Sequence, residues 1–159
     1  MSTLTPPVPI VLIGIHTEIG SAVAEGLRPE WEVVRFIQTF EAAKADLPHI
    51  LRGAAPPDAP TNTVGSGDYA RPVRAVLLGR GFTQQQAEAL YALYGDVAAE
   101  SVLWAAGAEA NRRPGTGPPP GIEKIIVPMF RGVLEDWKKR VEGEGVGEGK
   151  KKKGELVLY

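Results

Sequence analysis

Four short apolar runs, each followed by a polar turn, are the feature that most restricts how this chain can fold. They cover residues 8–15, 31–38, 73–79 and 101–107, and most of their residues are Val, Ile, Leu or Ala. A strand that is apolar on both faces is typical of a parallel sheet covered by helices on its two sides. The segments that separate these four runs contain apolar residues at helical spacing. Strands that alternate with helices predict an α/β fold.

The helical segments carry recognisable end signals. We expect Thr17 and Thr39 to cap the first two helices, because a threonine at this position accepts a hydrogen bond from a free backbone N–H group. Thr83 and Gln86 have the spacing of a capping box at the start of the third helix. Gly95 suits the residue that follows the end of that helix.

The stretch 122–141 keeps a helical period of apolar residues across Pro128. A proline inside a helix removes a hydrogen bond and costs about 3 kcal/mol or bends the helix. We expect one long helix that is kinked or restarted at Pro128. The alternative is a short strand over residues 124–127, followed by a helix that begins at Pro128.

Polar, Gly-rich and Pro-rich segments divide the chain further. We interpret residues 1–141 as one domain with two exposed loops, at residues 53–72 and 111–121. The sequence leaves open whether the first loop is ordered or disordered. Residues 142–159 form a Gly/Glu/Lys-rich tail, in which the run Lys150–Lys153 is expected to be solvated. The tail ends in "LVLY", which is expected to add as an edge strand to this sheet or to a partner's.

The order of the elements predicts how the sheet is arranged. One strand follows the first helix before the long loop, and parallel crossovers are right-handed. We therefore predict a minimal Rossmann-like three-layer αβα domain. Its mostly parallel sheet has the order 2-1-3-4, with a possible extra C-terminal edge strand and helices on both faces.

Ligands of open α/β sheets bind at the carboxyl ends of the strands, where the strand order reverses. In the predicted order this point lies between strands one and three. Fold logic alone therefore predicts that loop residues near this point line a ligand cleft. They are His16, Thr17, Glu18, Gln38, Arg80, Gly81 and Thr83.

The first turn, "IGIHTEIG", resembles the N-terminal turn of the short-chain dehydrogenase/reductase superfamily, including its NmrA-like branch. Gly14 and Gly20 match the first and last glycines of that pattern, and Ile19 matches the apolar residue before the last. The resemblance covers this turn and, loosely, the βα alternation to about residue 107. It implies NADP or NAD as a cofactor. The cofactor-binding positions would then be Gly14, Thr17, Gly20, Gln38, Gly81 and Thr83.

Three departures from that family weaken the expectation of hydride transfer. Thr17 and Glu18 stand where the middle glycine would let the backbone approach a pyrophosphate. Gln38 or Thr39 occupies the end of strand two, where an acidic residue usually binds the ribose. Arg35 could favour NADP but lies inside the strand. None of the tyrosines is followed by the family's lysine four residues later.

A second resemblance is to small CoA-binding Rossmann domains, which are of similar length and whose fourth strand is similar to "SVLWAAGAE". The function that these observations predict is weak or atypical binding of a nucleotide cofactor, without standard dehydrogenase chemistry.

Two other functions stay open. In the first, the protein is an isomerase or lyase that needs no dinucleotide. His16 and Glu18 would transfer protons in that enzyme, and Arg80 would hold an anionic group of the substrate. In the second, it is an interaction module whose last helix and terminal segment pair two subunits in a homodimer. The simpler interpretations are that Glu18 only stabilises a helix start and that Arg80 pairs with Glu18 or Glu109.

Composition excludes several other classes. The chain has 159 residues, no cysteine and only two histidines without metal-ligand spacing, so no metal site is expected. A net charge of -1 argues against nucleic-acid binding. No apolar run reaches the roughly 18 residues that a membrane span needs. Since the first predicted strand begins at Val8, we expect no targeting segment and a cytoplasmic location.

Overall fold

Five parallel strands form one sheet at the centre of the computed structural model, which describes residues 4–98, 101–111, 120–143 and 155–159. The strands are β1 (Val8–Ile13), β2 (Trp31–Ile37), β3 (Ala75–Leu78), β4 (Leu103–Ala106) and β5 (Glu155–Leu158). Their order is β2-β1-β3-β4-β5, and every neighbouring pair is parallel. This order is one of the two common orders of doubly wound sheets. The predicted order and the edge strand formed by the terminal segment are both confirmed.

Four helices cover the two faces of this sheet. They are α1 (Thr17–Gly26), α2 (Phe40–Ile50), α3 (Gln84–Tyr94) and α4 (Glu123–Gly143), and a short 3-10 turn covers Glu109–Asn111. Buried residues of α2 and α3 pack on one face of the sheet, and those of α1 and α4 pack on the other. The molecule therefore has the predicted αβα layers.

The apolar runs of the strands are explained by these two cores. Val11 and Ile13 of β1 face α2 and α3, whereas Ile10 and Leu12 face α1 and α4. All six residues of β1 are buried. The three tryptophans also lie in the cores, and each is at most 1% exposed. A run without polar residues is needed because each strand lies between two helical layers.

The predicted caps of α2 and α3 are confirmed. The Thr39 hydroxyl accepts a hydrogen bond from the Ala42 N–H at 3.0 Å. Thr83 and Gln86 form both bonds of a capping box, with the Thr83 N–H donating to the Gln86 side chain at 2.9 Å. These bonds satisfy backbone groups that a helix start leaves free.

Two other helix-end predictions are wrong. Thr17 is the first residue of α1 rather than its cap, and the cap residue is His16, whose side chain makes no capping hydrogen bond. Gly95 is the cap residue of α3, with φ of -60°, so it does not use the left-handed conformation expected of a C′ glycine. In both places the helix boundary lies one residue away from the expected one.

Helix α4 passes through Pro128 without a break, so the alternative of a strand at residues 124–127 is wrong. Its apolar face explains why the helix persists, because Phe130, Leu134 and Trp137 are buried against the sheet. The preceding turn packs on α1. A Cβ built on Gly26 would lie only 2.7 Å from Cγ1 of Val127, so the two helices approach closely there.

The long segment 53–72 has no helix or strand, as predicted, but part of it is bonded to the outer edge of β2. The N–H groups of Ser66 and Gly67 donate to the carbonyl oxygens of Val33 and Val34, both at 2.9 Å. A Cβ on Gly65 (φ +100°) would lie 2.8 Å from the Val34 carbonyl oxygen. The carbonyl groups bonded in this way are not available to another chain, which makes edge-to-edge pairing at this part of β2 less favourable.

A buried ion pair fixes this segment to the core. Arg35 of β2 donates through Nε to Oδ2 of Asp46 in α2 at 3.0 Å, and the two residues are 6% and 2% exposed. The same guanidinium donates to the Tyr69 hydroxyl at 3.2 Å and to the Asp58 carbonyl oxygen at 2.9 Å. Burial raises the pKa of Asp46, and the charge of Arg35 opposes that rise. Arg35 therefore holds three parts of the chain together.

The remaining predictions about loops fall mostly on residues that the structure does not describe. Residues 112–119 of the second predicted loop and residues 144–154 of the tail, with Lys150–Lys153, lie outside the described ranges. Within the described ranges, no helix is long and apolar enough to cross a membrane.

Candidate functional site

The loops that follow the strands meet at the carboxyl edge of the sheet, where ligands of this architecture bind. The order of the strands reverses between β1 and β3, as predicted. The residues that lie at this edge are Gly14–Glu18, Gln38, Gly79–Thr83, Gly107–Glu109 and Tyr159. All of the residues predicted for the cleft therefore lie at this edge or in the first turns of the helices that start there.

The loops after β1 and β3 are in contact at the point where the order reverses. A Cβ built on Gly81 would lie 2.5 Å from Cδ1 of Ile15, so the side chain of Ile15 covers this glycine. Ile15 is still 48% exposed. The absence of a side chain at Gly81 is thus explained by Ile15, and the contact brings the loop that carries His16 beside the loop that carries Arg80.

The two glycines of the first turn have a packing partner in common. A Cβ on Gly20 would lie 2.7 Å from Cζ of Phe36, and one on Gly14 would lie 3.1 Å from its Cε1. Phe36 is 3% exposed in β2 and cannot move aside without disturbing the core. Neither glycine has a positive φ. Gly20 therefore allows close packing of α1 on β2, and Phe36 supplies the physical reason.

The start of α1 presents polar groups to solvent. His16, Thr17 and Glu18 are exposed, and Glu18 lies in the first turn. Within the described residues, neither His16 nor Glu18 makes a side-chain hydrogen bond, so the two do not form a bonded acid–base pair. The N–H groups and the dipole of a helix start attract anions. The Glu18 carboxylate lies in the same field and would compete with an anionic ligand.

Gln38 links three segments at the end of β2. Its Nε2 donates to the Ile15 carbonyl oxygen at 2.9 Å and to the Thr17 hydroxyl at 3.2 Å. Its Oε1 accepts from Asn62 Nδ2 at 3.3 Å. The amide therefore holds the loop before α1 in place. Gln38 stands where the resembling family binds the ribose, and its side chain is bonded within the protein instead.

Polar groups beyond β3 are also used within the fold. The hydroxyl of Thr83 accepts from the Gln86 N–H at 3.1 Å in the capping box. Oε1 of Gln84 accepts from the Glu109 N–H at 2.8 Å, which joins the loops after β3 and β4. Through the capping box, Thr83 stabilises the start of α3.

Arg80 packs against the last residue of the chain, Tyr159. Its guanidinium carbon lies 4.9 Å from the centre of the tyrosine ring, and its Nη2 donates to the main-chain oxygen of Tyr159 at 3.4 Å. The Tyr159 hydroxyl donates to the carbonyl oxygen of Leu78, the last residue of β3, at 2.6 Å. The ring therefore extends from β5 across the end of β4 to the end of β3.

A small pocket lies beside this tyrosine, with a volume of about 10 Å³. It is lined by Arg80, Phe82, Gly107, Ala108 and Glu109. That volume holds about one water molecule. The side chain of Phe82 is 6% exposed and forms one wall. The pocket is too small for a nucleotide without movement of its walls.

Burial raises the pKa of the Tyr159 hydroxyl to about 12 from 10.0, and the charge of Arg80 opposes this rise. The folded state therefore holds the phenolic proton more tightly than the unfolded state does. We expect Tyr159 to contribute stability below pH 10 that is lost as the pH rises from 10 to about 12. Thermal melts of the wild type and of Tyr159→Phe over this range will check it. The two curves should converge as the pH rises, and parallel curves would contradict the raised pKa.

Sequence reasoning missed two residues of this edge. Tyr159 was considered only as part of an edge strand, although all parallel strands deliver their last residue to the same edge. Phe36 was considered only as an apolar strand residue, although a bulky ring beside two glycines is a sign of close packing. Within the described residues, no cluster of His, Asp or Glu could hold a metal ion, so no metal site is found there.

Comparison with known proteins gives one distant similarity. No protein-family model matches the chain, and no solved structure matches it. A curated protein named Kojic acid related protein 6, from Aspergillus oryzae (strain ATCC 42149 / RIB 40), is 28% identical over 105 residues. The match covers 65% of this chain and 62% of that protein. The resemblance to the short-chain dehydrogenase/reductase superfamily stays a prediction.

Proposed function

We propose that this protein binds a phosphate-bearing small molecule of the nucleotide type, such as NADP or NAD, weakly or atypically at the start of α1. The observation that carries the proposal is that α1 begins at the reversal point of the sheet with no side-chain cap from His16. A helix start of this kind is a general anion site of α/β folds. Such a ligand would lie along the loops of Gly14 and Gly81.

Three features of the first turn and of β2 explain why the binding would be weak and why standard dehydrogenase chemistry is not proposed. Glu18 places a negative charge in the turn that would hold phosphate. Gln38 is bonded to Ile15 and Thr17 rather than free to hold a ribose. Phe36 fills the space behind Gly14 and Gly20. The nucleotide would therefore lie further from the backbone than in a dehydrogenase.

The test is the affinity for nucleotides of Glu18→Gln compared with wild type. Removal of one surface charge near a phosphate is expected to improve binding about two- to fivefold, and the gain should shrink in high salt. Glu25→Gln is the matched control, because it makes the same change at the opposite, exposed end of α1. Binding can be followed by thermal shift with NADPH, NADH, FAD, CoA and acetyl-CoA at millimolar concentration.

Kojic acid belongs in the same ligand panel, because the name of the Aspergillus oryzae relative contains it. A ligand at a hundred times its Kd stabilises a protein by about 2.7 kcal/mol, which raises the Tm of a domain of this size by roughly 5–11 °C. No shift with any nucleotide, in wild type or in Glu18→Gln, would reject the proposal.

A second candidate function is an isomerase or lyase that needs no dinucleotide. The contact between Ile15 and Gly81 favours it, because this contact brings the loops of His16 and Arg80 together. His16 and Glu18 would then move protons, and Arg80 would hold the anionic group of a small substrate. Conversion of a substrate that is lost in both His16→Ala and Glu18→Gln would support this candidate over the first.

We also propose a homodimer and a cytoplasmic location, neither of which the ligand proposals require. Sedimentation of the full chain gives the subunit count directly. A monomer at all concentrations would remove the homodimer and leave the ligand proposals intact.

A further inference from the structure

The contacts of Tyr159 form a complete binding site for its own side chain and main-chain oxygen. The hydroxyl donates to the Leu78 carbonyl oxygen at 2.6 Å, and the ring packs edge-on against Phe130 with the centres 5.5 Å apart. The main-chain oxygen accepts from the Ala108 N–H at 2.8 Å and from Arg80 at 3.4 Å. One acceptor, two donors and one apolar wall therefore surround a tyrosine.

These partners select a particular kind of molecule. The carbonyl oxygen of Leu78 requires a hydrogen-bond donor, here a hydroxyl. Phe130 and the guanidinium of Arg80 favour an aromatic ring between them. The Ala108 N–H and the charge of Arg80 favour an oxygen acceptor, most strongly a carboxylate. The Ala108 contact continues the pairing of β4 with β5. The contacts of the hydroxyl and the ring do not require that the aromatic group belong to the same chain.

Tyr159 is a major contact of the segment that carries it. Strand β5 pairs with β4 alone, and the side chains of Glu155–Leu158 are exposed or half-buried. Outside the strand pairing, Glu155 forms an ion pair with Arg140 at 3.0 Å, in which both side chains are 47% exposed. Exposed pairs contribute at most about 1 kcal/mol. The tyrosine therefore holds β5 together with the strand pairing and the packing of Leu156 and Val157 on the two cores.

We propose that the carboxyl ends of β3 and β4, with Phe130 of α4, form a binding site for hydroxyaryl carboxylates, and that Tyr159 is its internal occupant. A ligand of this class displaces the tyrosine side chain and takes over its hydrogen bonds. The pocket beside Ala108 and Arg80 leaves room for about one water-sized group next to the occupant. This site is separate from the start of α1 and does not depend on nucleotide binding.

The experiment compares wild type with Tyr159→Phe, using 3-(4-hydroxyphenyl)propionate as the probe. This probe reproduces the side chain and the carboxyl carbon of tyrosine. Loss of the hydroxyl weakens the internal occupant, so the apparent affinity for the probe should improve about two- to tenfold. Affinity is measured by titration calorimetry, and contact is measured by nuclear Overhauser effects between the probe and the Phe130 ring.

Tyr94→Phe is the matched control, because the Tyr94 hydroxyl also donates to a backbone carbonyl oxygen, that of Lys44, at 2.8 Å. It should leave the affinity for the probe unchanged. The compound 3-phenylpropionate, which lacks the hydroxyl, should bind Tyr159→Phe at least threefold more weakly than the probe does. Arg80→Gln in the Tyr159→Phe background should weaken the probe further.

Two results would overturn the proposal. One is a probe affinity that is equal in wild type, Tyr159→Phe and Tyr94→Phe. The other is the absence of any probe contact with Phe130 at millimolar concentration in a folded Tyr159→Phe. If nucleotides bind and respond to Glu18→Gln while the probe fails, this proposal falls and the nucleotide proposal stands, and the reverse result separates them equally well.

Discussion

Replacing Asp46 with alanine is expected to lower the free energy of unfolding by about 3–5 kcal/mol, a fall in Tm of roughly 6–20 °C. The substitution leaves the guanidinium of Arg35 buried, 6% exposed, without its carboxylate. Urea denaturation followed by circular dichroism measures the change. Glu41→Gln is the control, because Glu41 is an exposed carboxylate on the same helix, and it should cost at most about 1 kcal/mol.

The double variant Arg35→Met/Asp46→Ala separates the pair from its surroundings. Burial of two charges carries a desolvation cost, so removing both is expected to cost less than removing Asp46 alone. In the single variant Arg35→Met, the pKa of Asp46 should rise further, because the guanidinium that opposes the rise is gone. A raised carboxyl pKa means that stability falls as the pH rises above 3.8. Arg35→Met should therefore be less stable at pH 8 than at pH 5, and a flat profile would contradict the assignment.

Gly20→Ala is expected to destabilise the protein by about 1–3 kcal/mol, although alanine is the better helix former. The added Cβ would lie 2.7–2.9 Å from three ring atoms of Phe36, which is buried in β2. The measurement is again the free energy of unfolding in urea. If close packing is the reason for the glycine, Phe36→Leu should recover part of the loss in Gly20→Ala.

Gly132→Ala is the matched control for that substitution. Gly132 lies inside α4, and a Cβ built there would meet no atom within 4 Å. The same change should stabilise the protein there by about 0.5–1 kcal/mol, since only the helix propensity acts. Equal effects at the two glycines would show that Phe36 does not determine the choice of glycine at residue 20.

The architecture could be predicted because it depends on patterns that span many residues. The buried runs that become β1 to β4 alternate with helical segments, and this alternation fixes both the fold class and the order of the strands. The continuity of α4 through Pro128 was predictable for the same reason, since its apolar face repeats on both sides of the proline. Single-residue details such as the cap at His16 depend on one boundary and were missed.

The site was harder to predict because its contacts join residues that are far apart in the chain. Arg35 was expected to lie inside a strand, but nothing in the sequence pairs it with Asp46. The glycines of the first turn were assigned to a cofactor from a short motif, whereas their close neighbour is Phe36. Tyr159 reaches Leu78 and Arg80 because β5 joins β4. The pattern "LVLY" predicted an edge strand, but it does not encode the contacts of the last side chain.

The bonding of residues 65–67 to β2 has a consequence for assembly. One outer strand of the sheet is already hydrogen-bonded to its own chain, whereas no partner beyond β4 is seen for β5 within the described ranges. A chain with a single available edge can join a second copy only by matching that edge to itself. In such a dimer the β5 edges of both copies are paired with each other, so the assembly closes at two subunits. This geometry disfavours the open-ended stacking from which fibrils grow.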